Sequence, residues 1–339
     1  MKRSCRHMMI LSAIFFALTL GGVGWSQELT KVRLVHVAFS SNQAPAWVAR
    51  EAGFFQKQGL DVEIIRIGGS SKVVQVMVAG EVGLAHVGAS AAVEAATAGA
   101  DVAIVAATVK RPQFRLMANP AIKSIAELKG RKVGVTRFGS STDFLVRWGL
   151  VNKWGLTPDR DVPLIQVGGI PELLMAARAG AIDAAPLSTP DDMRVEDIGW
   201  KELADFSTLG LDYMTGTLAS TRKYIRSNED VLRRFRKAFV QGIHIMRTDK
   251  EFTLKSLERF MRLKDKRILE AIYNQEILKG LERVPVPSLA GVQTILDELS
   301  GKRPAIKGRK PEEFVDARSV KELQESGYID ALYRGGSSR

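Results

Sequence analysis

Cysteine is almost missing from this 339-residue chain, and the single example, Cys5, lies among the first 26 residues. Beyond that point thiol catalysis, Cys-type zinc sites and iron–sulfur clusters are excluded. The fold must be held by its core rather than by disulfides, which a chain of this length allows. Histidine is scarce too. Outside the first 26 residues only His36, His86 and His244 occur. They fall in a strand, a strand and a helix, without metal-ligand spacing, and read as core or surface side chains. There is no G-x-S-x-G elbow, no P-loop and no H-E-x-x-H. Asp191 and Asp192 are adjacent, which suits a helix start better than a catalytic pair.

Long apolar runs are also rare. The one near the start, Met8–Leu20, is broken only by Ser12 and Thr19. It follows Lys2, Arg3 and Arg6 and precedes Gly24-Trp25-Ser26, so residues 1–26 read as a secretory signal peptide. The run is short for a membrane span, the alternative being an uncleaved anchor. Loss of the leader removes three basic and no acidic residues, leaving 46 basic against 37 acidic side chains, a net of +9. Most of the excess lies in the last third, on helical faces or alternating with acids, and reads as solvated surface. Export argues against nucleic acid as a partner and places the protein in the periplasm.

What is present is a repeated unit. Gly68-Gly69 opens a helix-like run that stops at Ala79-Gly80; the strand-like Val82–Val87 follows and ends in Gly88-Ala89-Ser90. A hundred residues on, Gly168-Gly169 opens a run that stops at Ala179-Gly180, and Ala181–Ala185 leads to Pro186-Leu187-Ser188-Thr189. Strand-like runs, Val62–Ile67 and Val162–Val167, precede each copy. Glycine permits a sharp turn off a strand end, and the helix start then exposes free N–H groups. Two copies in register predict two similar α/β lobes whose turns face one cleft.

The chain in order supports this. Val32–Ala38 is a first strand, with Pro45 at the start of a helix that stops before Gly59. Ser90 is expected to cap a helix to Ala98. Val102–Val109 is a buried strand and Phe114–Ala118 a crossing strand. Ser124-x-x-Glu127 and Ser319-x-x-Glu322 read as capping boxes. Lys132–Thr136 opens a second lobe, the hydroxyl-rich turn 137–142 enters a helix, and Glu202–Phe206 is a short strand. Tyr213–Ser220 crosses back, and helices follow: Glu229–Arg247, Glu251–Met261, Lys266–Leu278 and Leu289–Leu299. The expected division is a lobe of residues 27–116 and 217–333, an inserted lobe of 117–216, a two-strand hinge near 115–118 and 215–219, and a frayed tail at 334–339.

The run Pro45–Phe55 with Gly59-Leu60-Asp61-Val62, then Gly80-Glu81-Val82-Gly83, Leu128–Val135 and Gly327-Tyr328-Ile329-Asp330, resembles the solute-binding proteins of ABC importers. The branch is the sulfonate-, nitrate- and taurine-binding type, which is similar to the thiamine-pyrimidine synthases. The resemblance implies an α/β, two-lobed periplasmic binding fold of type II character: two parallel or mixed sheets, two crossing strands and a helical C-terminal part. It implies a monomer, a small-molecule ligand, an ABC permease as partner and no cofactor.

Ligand contacts in that family come from four turns. The matching positions are Ser40, Ser41 and Gln43, then Ser70 and Ser71, then Ala89 and Ser90. In the second lobe they are Ser140, Ser141 and Thr142, then Ser188, Thr189 and Asp191. Helix capping is the plainer role for the hydroxyls, and the two roles are compatible. Hydroxyls and helix N-termini favour a small anion such as a sulfonate or carboxylate, with a neutral heterocycle left open. The synthases need a cysteine-rich motif that is missing here, so an enzyme is disfavoured. A binding subunit for a membrane sensor is the other alternative. Ser90 and Ser141 are expected to face each other across the cleft.

Overall fold

The computed structural model describes residues 28–301 and 303–334. The expected signal peptide and all of the tail after Arg334 lie outside them. In chain order the first elements are β1 (Thr30–His36), α1 (Pro45–Glu51), α2 (Phe54–Lys57), β2 (Leu60–Arg66), α3 (Ser70–Val78), β3 (Leu84–Val87), α4 (Ala89–Thr97) and β4 (Val102–Val109). Then come β5 (Arg115–Ala118), β6 (Val133–Val135), α5 (Ser141–Asn152), β7 (Leu164–Gln166), α6 (Ile170–Arg178), β8 (Ala184–Leu187), α7 (Asp191–Glu196), β9 (Lys201–Asp205) and β10 (Gly216–Thr221). The rest is helical: α8 (Arg222–Ser227), α9 (Glu229–Thr248), α10 (Lys250–Met261), α11 (Lys266–Ala271), a π-helix (Ile272–Ile277), α12 (Leu278–Gly280), α13 (Leu289–Ser300), α14 (Arg318–Glu325) and α15 (Tyr328–Arg334).

The strands form two five-stranded sheets, ordered β2-β1-β3-β10-β4 and β7-β6-β8-β5-β9. In each, three parallel strands are followed by an antiparallel one that arrives from elsewhere in the chain: β10 between β3 and β4, and β5 between β8 and β9. The chain passes between the sheets through residues 110–114 and 206–215. These two links are tied together, since Thr215 Oγ1 donates to the Arg111 carbonyl at 2.7 Å and accepts from Gln113 N at 3.3 Å.

The repeat is visible in the elements. α3 and α6 are nine residues each and start at 70 and 170; β3 and β8 start at 84 and 184. Both helices stop at glycines in the left-handed region, Gly80 (φ 83°) and Gly180 (φ 65°), where any other L residue is strained. At the opening turns the left-handed residue differs: Gly69 (φ 82°) in the first copy, Gly168 (φ 119°) in the second.

The expected single helix after Pro45 is split, because Gly53 (φ 72°) breaks it into α1 and α2. β8 runs through Pro186, which the sequence suggested as a turn. The ladder with β6 ends at Val133↔Ala184, so the missing N–H of Pro186 interrupts no bond to that neighbour. Neither expected capping box forms in reciprocal fashion. Glu127 accepts from Lys123 N rather than from Ser124 N, and Ser319 lies inside α14, whose N-cap is Ala317. Ser90 caps nothing: it is the second residue of α4, whose N-cap is Gly88.

One apolar core lies where α9–α11 and α1–α2 cover the first sheet, with Phe55, Phe235, Phe239 and Phe260 fully or almost fully buried. A second spans the seam between the two sheets and includes Phe144, Phe206, Tyr213 and Leu296. A third, around Leu173, Ile182 and Trp200, backs the second sheet.

Candidate functional site

The carboxyl ends of β1, β3, β6 and β8 face one another between the two sheets, as the repeat predicts. The two Gly-Gly turns come into direct contact: a Cβ on Gly68 would stand 3.2 Å from the Gly169 Cα. Arg137, at the end of β6, donates from Nε to the Gly68 carbonyl at 3.2 Å. Ser71 N points at Ser140 Oγ at 3.4 Å, and Ser90 Oγ donates to the Gly139 carbonyl at 3.3 Å. The cleft is therefore closed.

Within it lies a cavity of about 50 Å³, large enough for ordered water or a very small polar group. Of the predicted site residues, Ser40, Gln43, Ser70, Ser140, Ser141, Thr142 and Ser188 line it. All are buried. Their local bonds fix the turns. Gln43 Oε1 accepts from Val37 N at 3.3 Å, Ser70 Oγ from Gly88 N at 3.2 Å, and Thr142 Oγ1 from Thr136 N at 3.0 Å. α3, α5 and α6 all begin at this cavity, presenting the free N–H groups of their first turns. No lining side chain carries a formal charge.

The other predicted residues point elsewhere. Ser41 donates to Glu276 of the π-helix. Ser71 touches Ser140 at the rim, and Ala89 donates its N–H to the Met214 carbonyl at 3.1 Å. Ser90 bonds to Tyr213, Thr189 donates to Asp192 at 3.2 Å, and Asp191 pairs with Arg194 at 2.8 Å. Burial raises the Asp191 carboxyl to about 6 against the pull of Arg194.

Besides the turn glycines Gly69 and Gly88, seven lining residues were not predicted as site residues: Val37, Ala38, Asn42, Phe114, Thr136, Ile170 and Thr215. Asn42 sits inside a turn already singled out, and Ile170 directly follows the second Gly-Gly. Phe114 and Thr215 lie on the links between the sheets, for which no local pattern exists. Phe114 also lines a neighbouring pocket of about 230 Å³ under the links, where Arg111, Arg115 and Glu276 lie.

His36 and His86 are register partners in β1 and β3, buried beneath Phe260 and Phe239 and away from the cleft. Burial lowers them to about 4 and about 3. Among the described residues no group of three or more His, Cys, Asp or Glu is placed to hold a metal ion, and no helix is long and apolar enough to cross a membrane.

Known proteins share this architecture. A protein from Bordetella bronchiseptica RB50 superposes with a TM-score of 0.77 at 24% identity, over 88% of this chain and 98% of that one. The alkanesulfonate-binding protein SsuA from Xanthomonas axonopodis pv. citri, solved with MOPS bound, gives 0.72 at 17% identity, over 86% and 99%. These likenesses show the periplasmic binding protein fold. In sequence, the chain is 25% identical to the protein YtlA of Bacillus subtilis (strain 168) over 237 residues, 68% of this chain and 71% of that one. The family model described as NMT1/THI5 like matches residues 40–251, well over half of the chain, and the protein belongs to that family.

Proposed function

We propose that the protein is an extracytoplasmic solute-binding protein that captures a small molecule between its two lobes and hands it to an ABC importer. The observation that carries this reading is the enclosed cavity at the carboxyl ends of both sheets, walled by turns of both and crossed by hydrogen bonds from one to the other. The lobes, built on the two sheets, turn about the links 110–114 and 206–215.

The ligand is a small organic anion such as a sulfonate or carboxylate. Uncharged donors and three helix N-termini suit an oxygen-rich head group, and the absence of a lining carboxylate removes the main source of repulsion. Binding without catalysis accounts for a site that holds hydroxyls but no base beside them. A signal peptide over residues 1–26 delivers the protein to the periplasm, where it acts as a monomer.

A thermal-shift screen of residues 27–339 against sulfonates, nitrate, carboxylates and pyrimidines tests the reading. A true ligand at a hundred times its dissociation constant adds about 2.7 kcal/mol of stability. No stabilisation by any of these classes would count against it.

A further inference from the structure

Arg137 departs from the repeat. The turns after β1 and β6 keep the offset of a hundred residues, with Ser40 and Ser41 matched by Ser140 and Ser141. Arg137 stands where the first copy has Val37. Val37 lines the cavity. Arg137 instead reaches away from the second sheet and donates from Nε to the Gly68 carbonyl, on the turn after β2, at 3.2 Å.

The landing place is shaped for it. A Cβ on Gly69 would stand 2.5 Å from Arg137 Cδ, 2.8 Å from Cγ and 3.0 Å from Nε. The arginine stem therefore lies on bare backbone. Gly69 is glycine on two counts, this seat and its φ of 82°. In the second copy the space beside the matching Gly169 is filled from the same side of the cleft, by Glu172, whose Oε2 would lie 2.7 Å from a Cβ there. The reach across is thus one-sided, from the second sheet to the first.

The base from which Arg137 reaches is fixed by its own surroundings. Phe138 N donates to Gln166 Oε1 at 2.8 Å, Gly139 N to Asp143 Oδ2 at 2.9 Å, and Ser140 N to the Arg137 carbonyl at 3.1 Å. The backbone is anchored on the second sheet's side, and the side chain is what crosses. The neighbouring turn-to-turn bonds, Ser71 to Ser140 at 3.4 Å and Ser90 to Gly139 at 3.3 Å, have neutral donors. A guanidinium makes the stronger bond, because its donor is charged.

We propose that Arg137 is a positioning residue that clamps the cleft, setting the closed-to-open balance of the protein before any solute arrives. When the two sheets swing apart, Arg137 leaves its seat on Gly68-Gly69 and exchanges the carbonyl for water. The use of such a clamp rests on the solute-binding reading: a molecule held by the closed form binds more tightly the larger the share of protein already closed.

The test needs no solute, so it can fail while solute binding stands. Residues 27–339 contain no cysteine, so Gln56→Cys and Val151→Cys, at exposed positions on α2 and α5, accept a pair of spin labels uniquely. The protein is refolded from denaturant to free it of solute, and distance distributions are recorded for the labelled parent and three variants. Arg137→Met keeps the stem and loses the donors and the charge. Arg137→Lys keeps the charge without Nε. Arg131→Met removes the same charge at an exposed position on the second sheet's side. The clamp predicts a closed-to-open ratio about tenfold lower in Arg137→Met, the low end for a hydrogen bond from a charged group. It predicts an intermediate ratio in Arg137→Lys and the parent's ratio in Arg131→Met. A distribution in Arg137→Met identical to the parent's, or an equal shift in Arg131→Met, overturns it. Melting curves confirm that each variant is folded.

Discussion

Tyr213 donates its hydroxyl proton to Ser141 Oγ at 2.8 Å, and the tyrosine oxygen lies 3.0 Å from Ser90 Oγ. Ser90 and Ser141 thus face each other as their positions suggested, but with a fully buried tyrosine between them. Tyr213 is stacked on Phe144, centroids 5.0 Å apart, and sits on one of the two links. It ties α4, α5 and the link together in the closed arrangement. Replacing Tyr213 by Phe should weaken ligand binding by about 1 kcal/mol, read by calorimetric titration. Ser141→Ala should cost more affinity than Ser90→Ala, because Ser141 alone of the two lines the cavity. Equal losses would mean that the cavity wall is misassigned.

Gly88 packs directly against the start of α5. A Cβ there would lie 1.7 Å from Ser141 Oγ. Its backbone, φ −74° and ψ 147°, suits any residue. Gly88→Ala should therefore fold and melt nearly as the parent does, yet lose at least about tenfold in affinity, or about 1.4 kcal/mol, because the cleft cannot close. Unchanged affinity would show that ligand is held without closure.

Acid should destabilise the protein through His36 and His86. Both are neutral in the fold, and both ring nitrogens of His86 are buried without partners. Below pH 6.5 the unfolded chain takes up protons that the folded one refuses. Stability is therefore full above about pH 7 and falls with pH, by about 2 kcal/mol per histidine at pH 5. Denaturant titrations of His86→Leu should show a shallower decline between pH 7 and pH 5. A decline as steep as the parent's would remove His86 from the account.

Phe114 is the residue common to the cavity between the sheets and the pocket under the links. Phe114→Ala should open one into the other and admit longer ligands than the parent binds. A thermal-shift comparison of short and long alkanesulfonates would show this as a changed length preference. The same preference in both proteins would place the wall elsewhere.

The architecture was legible because it is periodic. The glycine pairs at 68–69 and 168–169, the stops at Gly80 and Gly180, and Pro45 at a helix start each have one local physical meaning, and the backbone uses them so. The site was legible only in part. Ser70 and Ser141 could be found because they follow a strand end at a helix start. Ser41, Ser90 and Thr189 share that signature but turn to Glu276, Tyr213 and Asp192, partners 235, 123 and 3 residues away. Thr189 takes a partner in the first turn of the helix that follows it; for Ser41 and Ser90 the choice between cavity and long-range partner is made by packing, and no local pattern encodes it. The π-helix was hidden for the same reason, since its residues carry the apolar spacing of an ordinary helix.

Closure on a ligand is the central claim, and small-angle scattering in solution reads it most directly. Residues 27–339 would be measured alone and at saturation with the compound that gives the largest thermal shift. The account predicts a smaller radius of gyration in the saturated sample and no such change in Gly88→Ala. A saturated wild-type protein with an unchanged radius would contradict a cleft that closes on its solute.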